Sequence, residues 1–172
     1  MTNIFVLPNE EINIIGFENQ IYGFPTDLKK LSDIIIKITK QHKINYIYGI
    51  DLGCGDGKTI DFFNKNINNS KWIGIELSSY RINLSLNYSY IIEGNMLDIF
   101  YGDYNFIYVN NLCFDTILSE KLENKIYAEF KGYILTTTPF LLNKLNKNIS
   151  LIESFPIDTN WQKKHIFYLW FI

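Results

Sequence analysis

Asp51-Leu52-Gly53-Cys54-Gly55-Asp56-Gly57 decides how the rest of this chain is read. It follows the apolar run Ile47-Tyr48-Gly49-Ile50, which predicts a buried parallel strand, and it precedes a helical stretch from Lys58 to about Lys65. Glycines at alternate positions between strand and helix let the backbone turn sharply and approach a ligand with no Cβ in the way. The dinucleotide fingerprint needs a glycine where this chain has Lys58, so the pattern argues against NAD and FAD. A second feature lies one strand on. Glu76 ends the apolar run Lys71-Trp72-Ile73-Gly74-Ile75-Glu76, where a carboxylate can accept hydrogen bonds from both hydroxyls of a ribose. The plainer reading of the same residues is a tight glycine turn beside a surface glutamate.

Composition narrows the classes. A chain of 172 residues is read as one domain over 1–172, with an N-terminal arm and entry loop at 1–24 and a core at 25–172. Hydrophobic content of 47% with 20% charged residues is that of a globular protein. The net charge of −2 gives no general field for holding nucleic acid, so no sequence-specific nucleic-acid binding is expected and any contact must come from local patches. The two cysteines, Cys54 and Cys113, sit inside motif segments without metal-ligand spacing, which fits free thiols and no metal. No run reaches membrane length and no leader is evident, so a soluble, intracellular monomer is expected. Arg81 is the only arginine, and isoleucine and asparagine abound. Folding does not require this bias, which instead suggests an AT-rich genome such as that of a large DNA virus or an intracellular parasite.

The chain then alternates. Pro25-Thr26-Asp27 predicts a helix start, with Leu28, Leu31, Ile34, Ile35 and Ile38 on one face to about His42. Strands are expected at 47–52, 71–76, 88–92, 105–110, 132–137, 149–154 and 165–172, and helices at 58–66, 79–86, 115–128 and 139–146. Residues 1–24 read as a short strand or loop arm. This is an α/β, Rossmann-like, doubly wound seven-stranded sheet, with ligands at the carboxyl ends of the strands. Residues 155–164, containing Pro156 and Asp158-Thr159-Asn160, read as a loop joining a final antiparallel hairpin.

The glycine turn, the strand-end Glu76 and the terminal hairpin together resemble the S-adenosylmethionine site of the class I methyltransferases. By that resemblance Asp51, Gly53, Gly55, Gly57, Lys58 and Glu76 hold the cofactor. Within Glu93-Gly94-Asn95-Met96-Leu97-Asp98, Asn95 and Met96 would meet the adenine, with Asp98 as a further candidate. A simple turn explains that segment equally well. The fourth strand ends Val109-Asn110-Asn111-Leu112-Cys113-Phe114. It lacks the prolines of enzymes that methylate flipped adenines, and Cys113 lacks the context of a cytosine-ring nucleophile.

Val-Asn-Asn-x-x-Phe instead resembles a signature of the disruptor-of-telomeric-silencing family, the histone lysine methyltransferases built without a SET domain. Ile21-Tyr22-Gly23 resembles that family's entry loop, although Phe24 stands where the family has an acid. Thr136-Thr137-Thr138-Pro139-Phe140 resembles its fifth-strand ending, and Trp161 with Tyr168 matches the spacing of two aromatic residues near its lysine channel. The resemblance implies S-adenosylmethionine as cofactor and a core-face lysine of histone H three in the nucleosome as acceptor. It places Tyr22, Phe114, Trp161 and Tyr168 around the amine, with Asn110 orienting the amine and touching the cofactor. The loop lysines Lys144, Lys147, Lys163 and Lys164 would meet the nucleosome, in a nucleus or, for a viral protein, in host cytoplasm; ordinary solvated lysines are the other reading. No residue stands out as a general base, and His42 and His165 read as structural. Other protein lysines, or a non-catalytic cofactor-binding partner subunit, are the alternatives.

Overall fold

The computed structural model describes residues 7–16, 22–85, 88–141 and 149–172. Seven strands form one sheet: β1 (Ile47–Leu52), β2 (Ser70–Glu76), β3 (Ile91–Glu93), β4 (Phe106–Val109), β5 (Tyr133–Thr136), β6 (Ser150–Ile157) and β7 (His165–Phe171). Their order is β3-β2-β1-β4-β5-β7-β6. The first five run parallel to one another, whereas β7 runs antiparallel to both β5 and β6. The sheet reverses its winding between β1 and β4, where the carboxyl ends leave a crevice.

Local chemistry explains the helices. Asp27 caps α2 (Leu28–Gln41) by accepting from the Lys30 amide, and Asp115 caps α5 (Thr116–Glu129) by accepting from the Leu118 amide. α3 (Lys58–Asn66) starts at Gly57 in the left-handed region, and Ser78 caps the short α4 (Ser79–Asn83). One core lies between the sheet and α2 and α3, with Leu31, Ile35, Phe63, Trp72 and Phe106 fully buried. The other lies on the α5 side, where Leu122 and Ile126 meet Ile50, Ile107 and Trp170.

Several expectations are corrected. The arm at 1–24 contains a helix, α1 (Asn9–Ile15), and residues 1–6 and 17–21 lie outside the described residues. β3 begins at Ile91 after a 3-10 turn at Tyr88–Tyr90, and α4 stops at Asn83. β6 runs through Pro156 to Ile157, so the connecting loop is only 158–164. Proline is tolerated there because β6 is an edge strand, whose outer amides need no partner in the sheet. The expected helix at 139–146 is absent over 139–141, and its remainder lies outside the described residues. Among the described residues no helix is long and apolar enough to cross a membrane.

Candidate active site

The glycine turn builds the first wall. Gly53, Gly55 and Gly57 have φ of 81°, 59° and 75°, a region that costs residues with a Cβ energy. The amides of Gly53 and Cys54 both donate to the Ile75 carbonyl at 2.9 Å, which ties the end of β1 to the end of β2. Gly55 has a further reason to be glycine, since a Cβ there would collide with the Tyr22 ring. Tyr22 thus lies directly on the turn. Its hydroxyl donates to Asp56 Oδ1 at 3.3 Å, with the Cys54 carbonyl at 3.4 Å.

Glu76 is buried and already engaged. Its Oε2 accepts from the Gly55 amide at 2.8 Å, its Oε1 accepts from the Ser78 amide at 2.9 Å, and Arg81 Nη1 stands 3.6 Å from Oε1. A carboxylate offers about four lone-pair directions, so these bonds fix its orientation and leave capacity for a ligand. Arg81 is also buried, and its guanidinium lies 5.2 Å from the Tyr22 ring centroid. Sequence reasoning missed this arginine, although its being the only one in the chain singled it out. Burial, then the charge of Glu76, pushes the Asp51 carboxyl well above the ordinary range. Burial, then Asp56, likewise raises the Tyr22 phenol.

A cavity of about 550 Å³ opens beside this corner. Of the residues expected at a site, Tyr22, Gly53, Glu76, Asn95, Met96, Asn110, Phe114 and Trp161 line it. Asn95 caps the 3-10 turn at Met96–Asp98 by accepting from the Leu97 amide at 2.9 Å, and the buried Tyr101 donates to the Met96 carbonyl at 2.6 Å. Asp98 is not part of the wall.

The second wall joins distant parts of the chain. Asn110 Nδ2 donates to the Gly23 carbonyl at 2.7 Å, and Asn110 Oδ1 accepts from the Thr137 hydroxyl at 2.8 Å. Asn111 meets the same threonine: its Oδ1 accepts from the amides of Thr137 and Thr138 at 3.1 and 2.9 Å and lies 3.2 Å from the Thr137 hydroxyl, which pins the end of β5 to the end of β4. Trp161 packs on Gly23 so closely that a Cβ there would lie 2.7 Å from the indole. The contact is held by a two-bond clip, in which the Phe24 amide donates to Asn160 Oδ1 at 2.7 Å and the Asn160 amide donates to the Phe24 carbonyl at 3.1 Å. The indole N–H of Trp161 is buried with no hydrogen-bond partner among the described residues, leaving a donor for a ligand.

Other expected residues fall outside the cavity wall. Asp51, Gly55 and Gly57 form the turn beneath it. Lys58 turns away, with its Nζ 2.6 Å from Asp56 Oδ2 and the side chain 63% exposed. Tyr168 is corrected too. Strand alternation sends it with Trp170 toward the α5-side core, where the two rings stack at 6.2 Å, so it does not line the cavity. His165, one face over, meets Trp161 edge-on at 5.3 Å instead. Lys163 pairs with Asp158 at 2.9 Å, and the Lys164 amide donates to the same carboxylate. Lys144 and Lys147 lie outside the described residues.

No protein-family profile matches the sequence, and no curated protein matches it. Solved structures do match the fold, which is the class I methyltransferase fold with its terminal antiparallel hairpin. The magnesium protoporphyrin IX methyltransferase of Synechocystis PCC 6803, solved with bound SAM, is 11% identical over 99% of this chain and 98% of its own, with a TM-score of 0.61. TrmN from Thermus thermophilus is 12% identical, with a TM-score of 0.59 over 82% of this chain and 48% of TrmN. A SAM dependent methyltransferase from Aquifex aeolicus is 13% identical, with a TM-score of 0.53 over 87% of this chain and 99% of that one.

Proposed function

We propose that this chain is an S-adenosylmethionine-dependent methyltransferase whose acceptor is the amine of a protein lysine. The observation that carries it is one cavity with two kinds of wall: Glu76 fixed against the glycine turn, and Asn110 joined to Gly23 and Trp161. The residues fit the cofactor. Glu76 suits a ribose diol, the Ile75, Met96 and Leu97 side of the cavity suits an adenine ring, and a volume of about 550 Å³ lies in the range of small-molecule sites. When bound, S-adenosylmethionine supplies an electrophilic methyl on a cationic sulfur.

The other wall would prepare the amine. Only a neutral amine has a lone pair to attack with, and deprotonating a lysine of pKa about 10.4 at pH 7 costs roughly 4.6 kcal/mol. Trp161, Phe114 and Tyr22 exclude water, which penalises the ammonium and reduces that cost. Asn110 Oδ1 uses one lone pair on Thr137 and keeps the other for an N–H of the acceptor. The finer form of the proposal is a core-face lysine of histone H three in the nucleosome. It is supported by the resemblance of Asn110-Asn111 with Phe114, Pro139-Phe140 and Trp161 to the non-SET histone enzymes.

Titration calorimetry with S-adenosylmethionine and S-adenosylhomocysteine tests the cofactor. Transfer of labelled methyl to nucleosomes, free histones and a mixed protein extract tests the acceptor. Asn110→Ala should keep cofactor affinity within a few-fold while transfer falls by about a hundredfold, as expected when a reacting group loses its alignment. Labelling of non-histone protein alone would move the acceptor to another lysine. Binding without any transfer would leave a cofactor-sensing partner subunit.

A further inference from the structure

His165 begins β7 outside the cavity wall, yet its ring is joined to Asn110. His165 Nε2 lies 2.7 Å from the Thr137 carbonyl, which can only accept, so this nitrogen carries a proton. The same Thr137 donates its hydroxyl to Asn110 Oδ1 at 2.8 Å, and Asn110 donates on to the Gly23 carbonyl at 2.7 Å. Four residues from β7, the end of β5, the end of β4 and the entry loop therefore form one hydrogen-bonded string. The ring also braces the opposite side, since it meets Trp161 edge-on at 5.3 Å while Trp161 packs on Gly23. Both ends of the string thus return to Gly23.

We propose that His165 is a positioning residue, holding Asn110 and Trp161 at a fixed separation through Thr137. This rests on the reading of the cavity as a methyl-transfer site, in which Asn110 aligns the acceptor. Thr137 is 1% exposed, so water cannot replace a lost donor at its carbonyl without the strand end moving. A shift there passes to the hydroxyl of the same residue, and from it to Asn110. The corner around Glu76 is built on β1, β2 and α4, and the string meets it only where Gly23 adjoins Tyr22.

The test uses the full chain with His165→Phe, which keeps a ring against Trp161 and removes the donor, and His165→Gln, whose Nε2 can reach the same carbonyl. The first readout needs no acceptor. The side-chain amide resonances of Asn110, assigned by their loss in Asn110→Ala, should shift and exchange faster in His165→Phe and return toward wild type in His165→Gln. The second readout is transfer: kcat should fall by about tenfold to a hundredfold in His165→Phe, with S-adenosylhomocysteine affinity within about twofold and the acceptor KM little changed. An unmoved Asn110 signal in His165→Phe, or no recovery in His165→Gln, overturns the proposal. A wild-type protein that binds no S-adenosylmethionine overturns the functional reading instead, and the amide signal still decides the string.

Discussion

Asp51 lies next to the end of β1, beneath the glycine turn, and its raised carboxyl pKa has a consequence for stability with a definite sign. The folded state favours the neutral acid, so the stability contributed is complete below the ordinary range near pH 4 and is lost as pH rises through the raised value. Asp51→Asn removes that loss. Its thermal midpoint should exceed that of wild type more at pH 8 than at pH 5; equal midpoints across pH would refute the argument. Residues at this scale were unevenly legible in the sequence. Gly53, Gly55 and Gly57 were readable because a positive φ leaves a trace in composition. So was Glu76, because an acid at a strand end is unusual in an apolar run. The division of labour between Asn110 and Asn111 was not, since both side chains meet Thr137 and only Asn110 also reaches Gly23. Arg81 was missed, and His165 read only as structural, for a like reason: each acts through contacts far away in sequence.

At the scale of elements, strand positions followed from apolar runs with small boundary shifts, and Pro25-Thr26-Asp27 marked the start of α2. Tyr168 shows where spacing misleads. Seven residues separate it from Trp161, but a loop turn intervenes and the strand's two-residue period assigns it to the opposite face. Gly23 packs against Trp161 with no room for a Cβ, so Gly23→Ala should force the indole aside or break the clip to Asn160. On the proposed reading, transfer should fall about tenfold or more, because alignment is lost while the corner around Glu76 stays intact. Calorimetry with S-adenosylhomocysteine beside a methyl-transfer assay reads the two effects separately, and an unchanged kcat would remove Trp161 from the acceptor wall.

Across the whole molecule, the first described helix reaches the same acidic corner from outside. Glu11 on α1 is buried, accepting from the Ser78 hydroxyl at 2.8 Å and the Tyr80 amide at 3.2 Å, and Ser78 in turn donates its amide to Glu76. Glu11→Ala leaves those donors unpaired and should cost about 1–3 kcal/mol of stability. Hydrogen exchange should quicken over Asn9–Ile15, and cofactor affinity should weaken as the corner loosens; protection unchanged over that helix would show that α1 is held by other contacts. The strand order carries a different kind of consequence. β7 lies between β5 and β6, so β6, though made earlier, cannot join the sheet until β7 has been synthesised. The clip at Asn160 and the indole of Trp161 also come late, whereas the glycine turn and Glu76 are complete within the first half of the chain. At about 5–20 residues per second on the ribosome, several seconds separate these events. A nascent chain therefore exposes half a cavity, its entry loop without an anchor, and the corner around Glu76 is assembled well before the wall around Trp161.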